Sequence, residues 1–233
     1  MKKVLALVAV VSLMAAATVA SAATIKNSKH DLSSGSTATF KSSGVGTSTN
    51  QICVFCHTPH NAIQNGYPLW NRSAASGSFL LYSSGNMKNQ YGALKASQGF
   101  TTNSVSLYCM SCHDGGLVAG RIHNLPLDNG KVIPTMTPAA DQITSTANLG
   151  TNLQNDHPVN FNIVNFGGAI GTSQNGGKAI GGLTTTNLPL FNSGRGTSSL
   201  ECASCHAVHD PGYVPFLRTT NAGSYLCLTC HNK

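Results

Sequence analysis

Hydrophobic and polar positions along the chain lack the regular period of a layered domain. Lys2 and Lys3 precede an apolar run from Val4 to Ala17. That run is too short to span a bilayer, and Ala20-Ser21-Ala22 after it has the small-residue pattern of a cleavage site. The pattern predicts a signal peptide over 1–22, a mature chain from Ala23, and export beyond the inner membrane. No later apolar run approaches membrane length, so no membrane span is expected. Weak strand patterns cover Lys131–Thr135 and Asn160–Asn165, and Tyr91–Ala96 is expected as a short helix. Thr144–Gly196 is rich in Gly, Asn and Thr, a composition that normally reads as a linker. It also carries His157, Phe161, Ile163, Val164 and Phe166, so it is read as ordered coil. Tyr67, Trp70 and Phe79 are expected in ordinary packing.

Composition sharpens this picture. The 233 residues include 25 Ser, 22 Thr, 21 Asn and 24 Gly, so 92 have short polar or absent side chains. Charged residues are 9% and aromatics 6%, against about 25% charged in an ordinary domain. Coiled coils, helical bundles and transmembrane bundles are excluded. So little apolar side-chain volume implies that something other than side chains fills the centre. Without Lys2 and Lys3, 12 basic residues face 7 acidic ones, a net charge of +5. The basic residues are scattered, and nucleic-acid binding finds no support.

The 8 cysteines all fall in one repeated pattern. It reads Cys53-Val54-Phe55-Cys56-His57, Cys109-Met110-Ser111-Cys112-His113, Cys202-Ala203-Ser204-Cys205-His206 and Cys227-Leu228-Thr229-Cys230-His231. C-x-x-C-H is the attachment pattern of c-type haem. Two thiols three positions apart reach the two vinyl groups on one porphyrin edge, and the next residue places its imidazole under the iron. Disulfides or zinc would use the cysteines but do not require a His after every pair. The expectation is four c-type haems, with His57, His113, His206 and His231 as proximal ligands and each motif on a helical turn. One domain over 23–233, mostly irregular coil with short helices and few short strands, would then wrap four stacked haems.

Five of the 9 histidines remain as distal ligands: His30, His60, His123, His157 and His209. Four haems with two histidines each need four of them. His60 and His209 each follow a proximal histidine by three residues, in His57-Thr58-Pro59-His60 and His206-Ala207-Val208-His209. Neither reaches the far face of its own haem, so each must serve another one, and the haems must be near neighbours. Spacing alone leaves open which of His30, His123 and His157 is spare. Met87, Met110 and Met136 are weaker ligand candidates. Asp31, Asp114, Asp156 and Asp210 each adjoin a histidine and are candidates to orient its ring.

Ser28-Lys29-His30-Asp31-Leu32-Ser33, Cys53 to Asn61, Cys112-His113-Asp114-Gly115, Asp156-His157-Pro158-Val159 and Leu226 to Lys233 together resemble the doubled C-x-x-C-H multihaem cytochromes of metal-reducing bacteria. With this size and an export signal, the chain most resembles their outer-surface tetrahaem members, a family that includes filament-forming cytochromes with a continuous haem chain. The resemblance implies His30, His60, His157 and His209 as the distal set and His123 as the spare. It also implies a homopolymer in which His60, or its rival His30, ligates a haem of the adjacent subunit. Closed ligation leaves no iron open to substrate, so outer-sphere electron transfer is expected rather than enzymatic turnover. The expected partners are other copies of the chain, other redox proteins and extracellular electron acceptors. The readings carried forward are a secreted or cell-surface filament, a monomeric periplasmic shuttle, and a multihaem reductase.

Overall fold

Short polar side chains and glycine favour turns over long helices, and the regular elements are brief. The computed structural model describes residues 24–63, 69–75, 77–83, 88–89, 92–93, 99–128, 130–138, 140–163 and 188–230. The signal segment, Tyr67, Met87, Val164, Phe166 and His231 lie outside them. The strands are β1 (Lys41–Ser43), β2 (Leu80–Leu81), β3 (Lys88–Asn89), β4 (Gly92–Ala93), β5 (Thr135–Thr137), β6 (Asn152–Leu153), β7 (Phe161–Asn162) and β8 (Ser199–Leu200). The α-helices are α1 (Ser106–His113), α2 (Cys202–Cys205) and α3 (Tyr225–Leu228), joined by 3-10 turns at Cys53–Phe55, Ala119–Arg121 and Ala222–Ser224.

The strands pair only as twos. β1–β5, β3–β4 and β7–β8 are antiparallel and β2–β6 is parallel. Among the described residues no sheet is large enough to found a core, and the apolar residues gather in three small clusters instead. Leu32, Val54, Phe55, Val118, Ala119, Ile122 and Met136 form one. Phe161, Ile163, Leu188 and Leu200 form the second. Phe79, Leu81, Met110 and Leu153 form the third. Motif cysteines pack against two of them: Cys56 and Cys112 on the first, Cys230 on the second. Met110 and Met136 are buried in these clusters.

The mostly coil reading agrees with this architecture, and two local expectations are corrected. The strand expected at Lys131–Thr135 begins only at Thr135, where Ser43 supplies the partner. Upstream, Lys131 turns with φ 63 and Val132 and Ile133 are exposed, so that stretch has neither pairing nor a buried face. In the expected helix Tyr91–Ala96, Gly92 and Ala93 instead pair back onto Lys88 and Asn89. Glycine gives a helix little support there, and the rest of that segment lies outside the described residues. Of Asn160–Asn165, Phe161 and Asn162 form a strand while Asn160 turns with φ 56.

Candidate functional site

Each C-x-x-C segment sits on a helical turn, as its spacing predicts. The first and third motifs fold alike in detail. His57 N donates to Cys53 O at 2.7 Å and His206 N to Cys202 O at 3.0 Å. The chain then leaves the turn, loops, and returns as an antiparallel bridge, His57 to Trp70 and His206 to Leu217. Thr58 N donates to Leu69 O at 2.8 Å and Ala207 N to Phe216 O at 2.7 Å. Leu69 and Phe216 both take the left-handed region, at φ 61 and 59. The next contact is matched in kind: Asn71 Nδ2 donates to Val54 O at 2.7 Å and Arg218 Nε to Ala203 O at 2.8 Å. Both side chains thus clamp the carbonyl just after the first cysteine. The second and fourth motifs lie on α1 and α3, each entered through a related stretch, Ser106-Leu107-Tyr108 and Ser224-Tyr225-Leu226.

None of the eight cysteines forms a disulfide, and three pairs of motifs meet through them. Burial pushes the Cys56 thiol up to about 12, with Cys112 of the second motif adding to it. Cys109 and Cys202 share a hydrogen bond that raises Cys109 and lowers Cys202. Burial, then Cys230, pushes Cys205 up to about 11. The second motif therefore turns Cys112 toward the first and Cys109 toward the third. The third turns Cys202 toward the second and Cys205 toward the fourth.

The imidazoles pair across this series. His57 and His209 have ring centres 6.0 Å apart, inclined at 33°. His30 and His113 are 6.2 Å apart, inclined at 89°. Two imidazoles on opposite faces of one metal ion, with metal–nitrogen bonds of about 2 Å, have ring centres about 6 Å apart. His30 Nδ1 is buried without a hydrogen-bond partner. Burial, then His113, lowers the His30 pKa to about 4, so its ring is neutral at pH 7 and keeps a lone pair for a metal. Both pairs thus fit an iron between them. The carbonyls of Ala147, Pro158 and Pro215 lie 2.6, 2.9 and 3.0 Å from Nδ1 of His113, His157 and His206. A carbonyl on Nδ1 fixes the tautomer that leaves Nε2 open to a metal.

The expected role of the carboxylates is corrected at three positions. Asp31 accepts from Asn27 N and from Ser33, Asp114 from Gly116 N and Arg121, and Asp210 from Gly212 N. Their own turns take up these short side chains, and at His113 it is the Ala147 carbonyl that meets the ring. His60, His123, His157 and His209 are exposed, and His231 lies outside the described residues. His157 stands just before β7, whose Phe161 belongs to the cluster that also meets Leu226 and Cys230 of the fourth motif.

Spacing gave no sign of Arg72 or Glu201, which clasp successive motifs. Arg72 is 1% exposed. Its guanidinium donates to Phe55 O at 3.1 Å in the first motif, and to Ser111 O at 2.8 Å and Ser111 Oγ at 2.9 Å in the second. Glu201, also 1% exposed, caps α2 and accepts from Ser104 Oγ at 2.7 Å, from Ser106 Oγ and from Asn160 Nδ2 at 2.8 Å. Ser106 Oγ in turn accepts from Cys202 N at 3.0 Å, which ties α1 to the third motif.

Among the described residues no three His, Cys, Asp or Glu side chains converge as a zinc site would need. With haem bound, the cysteines would carry it by thioether bonds and the paired histidines would hold its iron, supplying one-electron redox chemistry. Comparison with curated proteins finds no match. The model of the doubled CXXCH motif matches residues 196–233, which hold the third and fourth motifs. That motif indicates covalently bound c-type haem and points to a multihaem c-type cytochrome, a protein of electron transfer.

Proposed function

We propose that this chain is an extracellular tetrahaem cytochrome that polymerises and conducts electrons to acceptors outside the cell. The observation that carries the reading is the order of the thiols: Cys56 by Cys112, Cys109 by Cys202, Cys205 by Cys230. Haems attached there would follow one another from the first motif to the fourth. The protein's part is to fix their spacing, ligation and surroundings. His209 serves the first motif's haem, His30 the second's, and His157 is the nearest candidate for the fourth's.

This leaves the third motif's haem and His60. Among the described residues His206 faces no second imidazole in the way His57 and His113 do. His60 and its counterpart His209 are both exposed, but only His209 is paired with another imidazole among the described residues, 6.0 Å from His57. His60 of one copy ligating the third motif's haem of the next would complete both, and His30, held against His113, gives up its place as the crossing ligand. His123, whose backbone N donates to Asn71 O at 2.7 Å, stays the spare.

Intact mass of the secreted protein should give four haems, and negative-stain microscopy should show filaments. Monomers confined to the periplasm would sink the filament reading in favour of a shuttle. His60→Ala should abolish filaments. If filaments persist, another group crosses between copies.

A further inference from the structure

Arg72 and Glu201 share three features: each is buried, each carries a formal charge, and each lies where two motifs meet. The charge of Arg72 acts on Cys56, Cys112 and His113. Among the described residues no carboxylate lies within ion-pair range of it. Arg121, the other cation on the Ser111 carbonyl, is neutralised by Asp114 at 2.8 Å. Phe55 O and the Ser111 groups are neutral acceptors, so they solvate the guanidinium without cancelling its charge.

Glu201 presents the opposite sign one junction along. Its donors are two hydroxyls and an amide, again neutral. The nearby cation, Arg195, feels the charge of Glu201 and offsets part of it, while its Nε donates to Asn160 Oδ1 at 2.9 Å and its Nη2 to Gly99 O at 2.7 Å. The charge of Glu201 acts on both Cys109 and Cys202, the thiols joining the second and third motifs.

A buried charge acts through a lower dielectric than a surface one. Reduction adds an electron, which a nearby cation favours and a nearby anion opposes, and the surroundings of a haem are among the levers that set its potential. We propose that Arg72 and Glu201 are potential-setting charges of opposite sign, Arg72 raising the potential at the first and second haems and Glu201 lowering it at the second and third. The second haem feels both. Potentials therefore fall from the first motif to the third, and electrons entering the chain collect toward the first. This inference rests on the tetrahaem reading.

The test is a spectroelectrochemical titration of Arg72→Gln, Arg72→Lys and Glu201→Gln beside the parent. Intact mass and the low-spin spectrum are checked first. Fewer than four haems in the parent would overturn the tetrahaem reading itself. With four low-spin haems throughout, Arg72→Gln should lower one or two midpoints and Glu201→Gln should raise one or two. Each shift should be at least tenfold in the reduction equilibrium, about 59 mV for one electron. Arg72→Lys should keep the parental potentials. A loss of packing has no reason to give opposite signs. The proposal fails if either glutamine variant leaves the midpoints in place, if both move them the same way, or if Arg72→Lys shifts them as far as Arg72→Gln. Should Arg72→Gln not load haem, Glu201→Gln decides the matter: a raised midpoint upholds the proposal and an unmoved or lowered one removes it.

Discussion

The first and third motifs are built to one plan and end differently. Turn, bridge, left-handed residue and side-chain clamp coincide from Cys53 to Asn71 and from Cys202 to Arg218. Yet His209 comes to 6.0 Å from His57, while His60 meets no imidazole in that way among the described residues, although both side chains are exposed. Local sequence sets the plan, and long-range packing decides what each second histidine meets. The same unit can thus close a site within the chain or offer a ligand outward.

Removing the two second histidines should break the comparison most sharply. In isolated monomers, which lack the neighbour's His60, His209→Ala should add one high-spin haem to the parent's spectrum, and His60→Ala should leave the monomer spectrum unchanged. If His209→Ala adds no high-spin haem, the assignment of the first motif's distal ligand is wrong. Glycine at the two left-handed positions should separate the units next. Phe216 is buried and Leu69 is 51% exposed. Phe216→Gly should cost about 3 kcal/mol in chemical denaturation, from lost packing. Leu69→Gly should change stability by less than about 1 kcal/mol, because relief of strain is set against extra chain entropy.

The clamps should differ less. Asn71 also donates to Asn124 O at 2.9 Å and accepts from Asn124 N at 2.7 Å, whereas Arg218 is only partly buried. Asn71→Ala should cost about 2 kcal/mol and Arg218→Ala about 1 kcal/mol. Equal losses in denaturation would mean that the Val54 and Ala203 carbonyls matter more than the extra bonds. The finest contrast needs no mutation. Ring planes inclined at 33° for His57 and His209 but 89° for His30 and His113 should give two kinds of low-spin ferric signal in electron paramagnetic resonance. The more rhombic belongs to the first motif and the more strongly anisotropic to the second. One uniform signal would contradict the angles.

The attachment residues were legible in the sequence because three positions on a helical turn suffice to write them. That His209 would look away from its own motif followed from its spacing, since no geometry returns it there. That it lies beside His57 was not legible, because the two belong to distant stretches joined only by packing. Asp31, Asp114 and Asp210 misled for a related reason: adjacency in sequence put them beside histidines, but their short side chains serve their own turns. Arg72 and Glu201 stand outside any spacing rule, because an isolated charged residue in a sequence carries no sign of being buried. The matched stretches Pro68-Leu69-Trp70 and Pro215-Phe216-Leu217 were the available signal that the unit repeats.

The position of His30 bears on the order of assembly. Its ring rests between His113, 6.2 Å away, and Phe216, 4.2 Å away. One wall of its seat is thus made early in synthesis and the other late. Contacts between such distant stretches form slowly because a long loop must close first. The seat of His30 is therefore incomplete until Phe216 is in place, and a chain cut short before Phe216 would leave that histidine without one of its walls.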